Sequence, residues 1–488
     1  GENITTGSYN VVFGTQAMRT TTTASYNTAV GYRAGYSNTT GTNNLALGSF
    51  ALYNNTTASS NTAVGYDTLF DNTTGANNVA IGDSALENNT TAGNNTAVGF
   101  QAGYSNTTAS GGVYVGYRAG FSLTGGDNTL IGFESAQSQT TGQSSISLGY
   151  RALYSASTGS FNVALGKESL RSNTTASNNT AVGYQAGYSN TTGAGNSFFG
   201  HTAGYNQANT GSPYNTAVGR RAMYGASGAT GYTNTAIGGD SMFSISSGAS
   251  NVAVGNDALY SNTTASNNTA VGYQAGFSTT TGVNNTALGN GAFYTNTIGV
   301  QNTAIGQGAA SSSTSANNLT IVGYRANYNA APGNQVTSVG SQSLYSNTGG
   351  DNSTLGYAAG FQNTTGAYNV YVGSESGFKN KTGDYNTAVG YRAFTRGANA
   401  DPSGDNNTAI GALSIYSVTS GSNNTAVGRS TLQEVTTGTF NTAVGALALD
   451  ANTTASNNTA VGYGALTENT TGAQNNAFGL GALENNTT

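Results

Sequence analysis

A 17-residue repeat runs through this chain. Each copy is marked by a glycine, which we number position 0; the first are Gly14, Gly31 and Gly48, and the last is Gly479. There are 28 copies, and nearly every interval between marker glycines is 17 residues. A unit this short cannot bury a hydrophobic core alone, so it must stack on its neighbours. The repeat therefore predicts one elongated domain over residues 1–488, where length alone would suggest several globular domains.

Composition narrows the class of protein. Hydrophobic residues make up 36% of the chain, charged residues only 7%, and the net charge is −5. Apolar residues recur at fixed positions of the repeat, which indicates a folded chain rather than a disordered one. The chain is weakly acidic and has no excess of positive charge that would bind nucleic acid. No apolar stretch is long enough to cross a bilayer. We therefore expect no nucleic-acid partner and no membrane insertion. The chain has no cysteine, so disulfides and thiolate metal sites are excluded.

The residue types within one copy indicate short strands and turns. Position −1 is always Val, Ile, Leu or Phe, and position −3 is mostly Thr, Val or Leu, with Ala common between them. Such alternation is typical of a strand with one packed face. Position +3 is always Ala, Ser or Thr, which indicates a crowded interior. Position +5 is mostly Tyr or Phe and precedes Ser-Asn-Thr-Thr, a cluster of turn formers. Charge collects at position +2, which we expect to face water.

These features predict an all-β fold, a parallel β-solenoid or β-roll of about 28 coils with 17 residues and two short strands per coil. Stacked at about 4.8 Å per coil, it would be roughly 130 Å long. Asn recurs at position −4, for example at Asn27 and Asn44, where stacked amides can form a ladder. Loop expansions are expected near residues 205–214, 224–233 and 395–406, because longer intervals and prolines occur there.

Position +4 is Gly or apolar in every copy but one. Where position +1 is Tyr or Phe, position +4 is often Gly, which suggests that the two share one space. If positions +3 and +5 face the interior, position +4 faces outward and predicts a stripe that packs against other chains, most simply in a parallel homotrimer. The alternative is that bends in the strands place this stripe in the chain's own core. The stripe comprises Leu52, Leu69, Leu86, Leu153, Leu170, Leu259, Leu344, Leu432, Leu449, Leu466 and Leu483.

Asn-x-Thr sequons fall in the Asn-Thr-Thr corner of many copies. In a secreted eukaryotic protein they would be glycosylation acceptors on a surface loop. The alternative is that Asn and Thr are simply good turn residues, which a repeat then multiplies. The candidate acceptors include Asn38, Asn55, Asn72, Asn89 and Asn106.

Two segments carry a family resemblance. Asn78 to Ala85 reads Asn-Val-Ala-Ile-Gly-Asp-Ser-Ala, and Asn302 to Gly306 reads Asn-Thr-Ala-Ile-Gly. They resemble the head repeats of trimeric autotransporter adhesins, and the Asn-Thr-Ala-Val-Gly-Tyr form is similar to repeats of phage tail fibres and bacterial surface proteins. The resemblance implies a left-handed parallel β-roll, often trimeric, that serves as an adhesive head or shaft. The longer period and the added Tyr and Asn-Thr-Thr segments depart from the adhesin pattern.

The sequence offers little for catalysis, and we expect no catalytic, cofactor or metal site. His201, the single histidine, stands where other copies often have Tyr and is interpreted as a surface or packing residue. Gly125 to Asn128 and Gly349 to Asn352 faintly suggest calcium, but a turn is the better interpretation. The leading hypothesis is a structural extracellular fibre, on a cell surface or virion, that associates with itself and continues end to end. The alternative is a ligand-binding repeat surface, for glycans or for ice.

Overall fold

The computed structural model describes residues 5–329, 332–395 and 402–488. The chain divides into two compact units, Gly1–Ala249 and Ser250–Thr488. Each described repeat contributes one three-residue strand, and the described residues contain no helix. The prediction that the whole chain is one domain stays a prediction.

The first unit contains strands β1 to β14, and the second contains β15 to β28. In the first unit the strands are Val11–Phe13, Thr28–Val30, Leu45–Leu47, Thr62–Val64, Val79–Ile81, Thr96–Val98, Val113–Val115, Thr129–Ile131, Ile146–Leu148, Val163–Leu165, Thr180–Val182, Ser197–Phe199, Thr216–Val218 and Thr235–Ile237. In the second they are Val252–Val254, Thr269–Val271, Thr286–Leu288, Thr303–Ile305, Thr320–Val322, Thr337–Val339, Ser353–Leu355, Val370–Val372, Thr387–Val389, Thr408–Ile410, Thr425–Val427, Thr442–Val444, Thr459–Val461 and Asn476–Phe478.

Within each unit, consecutive strands pair in parallel and in register. Thr28 pairs with Leu45, and Leu45 pairs with Thr62, so that equivalent residues of successive repeats lie side by side. Longer intervals leave the register intact, as the pairing of Thr387 with Thr408 shows. This confirms the predicted parallel β-solenoid, in which one repeat forms one coil.

The marker glycine forms the corner that ends each strand. Gly65 has φ of +141°, a conformation that L-residues rarely adopt. A Cβ atom at Gly65 would lie 2.5 Å from the carbonyl oxygen of Gly82 in the next coil. The close stacking of neighbouring corners therefore requires glycine in every coil.

Within the residues that the structure describes, the second strand predicted for each coil does not form. After the glycine, the described coils continue as turns, and positions +2 and +4 have positive φ, as at Asp67 (49°) and Leu69 (51°). Extended strands need φ near −120°, so alternate residues with positive φ interrupt a strand. Backbone hydrogen bonds between coils persist through these turns: the N–H of Leu69 donates to the carbonyl oxygen of Ala85 at 3.0 Å.

The interior of each coil is narrow and filled mainly by small side chains. Position −2 is usually a buried Ala, and position +3 is a buried small residue as predicted, for example Ala34 and Thr68. Three coils instead place a large ring at position −2: Tyr114, Phe198 and Tyr371. Each of these rings lies beside two glycines at position +4, one from its own coil and one from the preceding coil: Gly103 and Gly120, Gly187 and Gly204, Gly360 and Gly377.

The predicted exchange of volume is therefore real, but its partners were wrong. Glycine at position +4 makes room for a large residue at position −2. A Cβ atom on Gly204 would lie 2.4 Å from Cδ1 of Phe198. The ring at position +1, such as Tyr32, lies outside the coil and is exposed.

The predicted expansions near 205–214 and 224–233 lie between strands β12 and β14 and form irregular corners. They touch each other through a parallel bridge between Gln207 and Ala229. Pro213 is buried in the first expansion, and its carbonyl oxygen accepts a hydrogen bond from the N–H of Thr233. Half of the predicted expansion near 395–406, residues 396–401, lies outside the described residues.

Candidate functional site

The candidate glycosylation residues are buried. Asn38, Asn55, Asn72, Asn89 and Asn106 are at most 3% exposed. Their Nδ2 atoms, which would carry the glycan, donate hydrogen bonds inside the coil. That of Asn72 donates to the carbonyl oxygen of Gly75 at 3.0 Å and to Oδ1 of Asn55 at 2.9 Å. The prediction of surface acceptors is therefore wrong for the folded chain, because this corner turns its asparagine inward.

The Asn-Thr-Thr corner is instead part of the stacking. Thr56, which follows Asn55, donates its hydroxyl hydrogen to the carbonyl oxygen of Thr73 in the next coil at 3.1 Å. The second threonine, Thr57, is exposed. The prediction that this corner is a surface loop therefore holds only for its second threonine.

The leucines of the proposed inter-chain stripe line the chain's own core. Ten of them are at most 2% exposed: Leu52, Leu69, Leu86, Leu153, Leu170, Leu259, Leu344, Leu432, Leu449 and Leu466. Leu483, in the final described coil, is 51% exposed. The positive φ at position +4 turns these side chains inward, so the prediction that they contact other chains is wrong. The alternative interpretation, a core stripe, is correct.

A different surface is apolar and exposed. The outer face of each strand carries positions −3 and −1, and the ring at position +1 continues that face. At position −1, Leu47, Ile81 and Leu148 are 42%, 39% and 47% exposed. We call these positions together the strand face. The alternation of residue types along each strand is visible in the sequence. It does not indicate which side of the strand faces the core, because Ala and Val can both be core residues.

Aromatic rings form stacked columns along the coils. At position +5 the rings of Tyr36 and Tyr53 lie 5.0 Å apart, and those of Tyr53 and Phe70 also lie 5.0 Å apart. At position +1 the rings of Phe100, Tyr117, Phe133 and Tyr150 continue the strand face at centroid distances of 4.9–5.5 Å. Since each ring is covered by the next, a column offers its edges, not its faces, to a ligand.

Charged side chains at position +2 join successive coils. Nε of Arg151 lies 2.6 Å from Oε2 of Glu134 in the preceding coil, and Arg392 makes the same contact with Glu375. In another coil, Nε of Arg118 donates to Oε1 of Gln101 at 2.8 Å. These partly exposed side-chain contacts connect successive coils along the solenoid axis. They therefore favour the correct register of the coils more than they add to the free energy of unfolding.

Titratable groups form no evident reaction centre in the described ranges. His201 is exposed and stacks on Tyr184 with centroids 4.9 Å apart, as expected of a surface or packing residue. No group of three or more His, Asp or Glu side chains that could hold a metal ion occurs within the described residues. In Gly125 to Asn128, Nδ2 of Asn128 donates to the carbonyl oxygens of Gly125 and Gly142, which fits a turn.

Asp450 occupies position +5, where most coils have an aromatic ring. Its Oδ1 atom is buried without a hydrogen-bond partner. Burial, and then the charge of Glu434, raises the pKa of the Asp450 carboxyl above its ordinary value of 3.8. The folded chain therefore binds this proton more tightly than the unfolded chain, and stability falls as pH rises through the folded pKa.

We expect Asp450→Asn to stabilise the protein at pH 7, by less than about 1 kcal/mol because the carboxyl is partly exposed. At pH 3 the carboxyl is protonated in both states, so the variant should match the wild type. Thermal unfolding at the two pH values measures this difference. An equal shift at both would mean that packing, and not ionisation, causes the effect.

No helix long and apolar enough to cross a membrane occurs in the described residues. Among known proteins, neither a family model nor a curated sequence matches this chain. The resemblance to adhesin and tail-fibre repeats therefore stays a prediction, carried by the residues that suggested it.

Proposed function

We propose that this chain is a structural fibre element, in which stacked coils hold other parts of an assembly at a distance. The observation that carries the proposal is the identical hydrogen bonding of successive coils. The N–H of Asn61 donates to Oδ1 of Asn44 at 2.9 Å, and the N–H of Asn78 donates to Oδ1 of Asn61 at the same distance. Each added coil therefore adds a similar increment of length and stability, as a shaft requires.

Self-association through the strand face belongs to this proposal. The rings of Phe100, Tyr117, Phe133 and Tyr150 are each about 40% exposed. An aromatic side chain has a surface of ~200 Å², so the exposed parts of these four rings together present about 300 Å². A stable interface needs about 800 Å² from each partner, so these four rings supply less than half of it, and the apolar side chains at positions −3 and −1 would supply the rest. A homotrimer would therefore be built on the strand face and not on the leucine stripe.

The proposed location is outside the cell or on a virion. It is supported by the resemblance of the Asn-Thr-Ala-Val-Gly-Tyr repeats to those of surface and tail-fibre proteins. Protease treatment of intact source cells or particles, followed by detection of the chain, tests the location. A chain that stays protected until the membrane is broken would contradict it.

Sedimentation velocity combined with native mass spectrometry tests the fibre proposal and its self-association. We expect an extended particle with a high frictional ratio and a mass that is a multiple of the chain mass. Glu and Lys substitutions on the strand face, such as Tyr117→Glu with Tyr150→Lys, should release monomers. A compact monomer at every concentration would contradict both parts.

Ice binding has weaker support than a structural role. In the Thr-Thr pairs, the first hydroxyl is used inside the fold: those of Thr39 and Thr73 donate to backbone carbonyl oxygens of the next coil at 2.9 and 3.0 Å. One threonine of each pair is thus not free to order water. A thermal-hysteresis measurement would detect the activity if the exposed threonines sufficed.

A further inference from the structure

A cleft of about 230 Å³ lies on the second unit where two side chains of the repeat are missing and a serine replaces an aromatic ring. Position +2 is glycine in two successive coils, Gly291 and Gly308, and position +5 is Ser311 where the neighbouring coils have rings. The volume equals that of roughly eight water molecules in the liquid. It is therefore suited to one ring of a small ligand.

Two tyrosines of the position +5 column border the cleft. Tyr294 stacks on Phe277 on one side, at 5.2 Å, and borders the cleft on the other. Tyr328 stacks on Tyr345 beyond the cleft, with a wider spacing of 5.7 Å and a tilt of 25°. The two tyrosines are two coils apart, about 10 Å at ~4.8 Å per coil. One flat ring would fill the gap and continue the column.

The cleft also holds a cation without the Glu or Gln partner that the preceding coil provides for several other arginines at position +2. Arg151 and Arg392 contact Glu134 and Glu375, the residues at position +2 of the preceding coils. For Arg325 the preceding residue at that position is Gly308, which has no side chain. Its guanidinium lies over the rings of Tyr324 and Tyr328, at 5.2 and 5.0 Å from their centroids, as that of Arg151 lies over Tyr150 and Tyr154. None of the described residues that line the cleft is acidic.

We propose that this cleft binds an acidic pyranose, such as a uronic acid residue of a polysaccharide. The sugar ring would stack its C–H face on Tyr294, since aromatic rings are apolar platforms with polar edges. The carboxylate would pair with Arg325, whose fork of N–H donors matches carboxylate geometry. The side-chain amides of Gln274, Asn290 and Gln307 line the same cleft and would bond the ring hydroxyls. The binding site is independent of the proposed structural role.

Isothermal titration calorimetry with trigalacturonate and with neutral maltotriose tests the proposal. We expect the wild type to bind trigalacturonate at least tenfold more tightly than maltotriose, because an added charge-assisted hydrogen bond is worth that much. Ser311→Tyr should abolish binding of the uronate, since the chain's own ring then fills the gap. Arg325→Gln should weaken trigalacturonate binding at least tenfold and leave maltotriose unchanged.

Two controls make the outcome decisive. Arg392→Gln removes an arginine from the same repeat position outside the cleft and should leave binding unchanged. Ser311→Tyr carries the residue found in this column at Tyr294 and Tyr328, and circular dichroism should confirm that it folds. Gly291→Gln, which restores a side chain common at position +2, should also block the cleft. Undetectable trigalacturonate binding by the wild type, or unchanged binding by Ser311→Tyr, would overturn the proposal, and unchanged binding by Arg325→Gln would remove the carboxylate from it.

Discussion

Phe198→Ala is expected to destabilise the first unit by about 3–5 kcal/mol, the usual cost of removing a fully buried aromatic ring. Phe198 is completely buried between Gly187 and Gly204, neither of which has a side chain that could fill the space. The cavity therefore cannot collapse easily. Native-state hydrogen exchange of the amides in β11 to β13 measures the loss, because it reports local stability in a repeat protein that need not unfold in one step.

The same cavity should accept the residues that other coils use. Half of the coils combine Ala at position −2 with a large apolar residue at position +4, and Leu170 shows that leucine tolerates the positive φ there. The triple variant Phe198→Ala, Gly187→Leu and Gly204→Leu should therefore recover most of the lost stability. Gly187→Leu alone should destabilise, because its Cβ atom would lie 2.7 Å from Cδ2 of Phe198. Additive effects of the three substitutions would contradict the exchange of volume between positions −2 and +4.

Asn78→Leu is expected to cost about 1–3 kcal/mol, because it leaves the buried N–H of Asn95 without a partner. The carbonyl oxygen of Ala92 loses one of its two hydrogen bonds and keeps the one from Nδ2 of Asn89 at 3.0 Å. Oδ1 of Asn78 accepts the N–H of Asn95 at 3.0 Å, and its Nδ2 atom donates to the carbonyl oxygen of Ala92 at 2.9 Å. Leucine has a similar shape and neither polar atom. Hydrogen exchange of the Asn95 amide, together with the urea midpoint, measures the effect.

A matched pair of variants separates the ladder from the local turn. Asn77→Gly changes the exposed neighbour, whose φ of +59° glycine adopts freely, and should alter stability by no more than about 0.5 kcal/mol. Asn78→Ser should be intermediate, because the hydroxyl of Ser145 at this position accepts the N–H of Asn162 at 3.2 Å. If Asn78→Leu costs no more than Asn77→Gly, the ladder does not stabilise the coils.

The repeat period alone was enough to predict the parallel β-solenoid, because every coil must place equivalent residues side by side. The small position +3 and the glycine corner also followed from residue types, since only a crowded interior excludes large side chains at Ala34 and its equivalents. The asparagine column at position −4 was predicted as a ladder, although its amides bond mainly to backbone groups of the next coil.

The orientation of the side chains that follow the marker glycine could not be predicted, because it depends on the backbone conformation. Residues such as Leu52 and Leu69 have positive φ, which sequence patterns do not reveal for non-glycine residues. That conformation turned the predicted inter-chain stripe inward and removed the second strand. The same limit applied to Asn72, whose sequon suggested a surface loop but whose amide is buried. The cleft, by contrast, has a signal in the sequence. Gly291 and Gly308 interrupt the column of side chains at position +2, and Ser311 interrupts the column of rings at position +5.

The central claim is that each repeat advances the chain by one coil. Spin labels at exposed corner threonines test it, and the chain has no native cysteine to interfere. In pairs of cysteine variants, Thr23 would be combined with Thr108 or with Thr175, which lie five and nine coils further along the first unit. Double electron–electron resonance should give distances near 24 and 43 Å, since each coil adds ~4.8 Å. Distances that do not increase in proportion to the number of repeats would contradict the account.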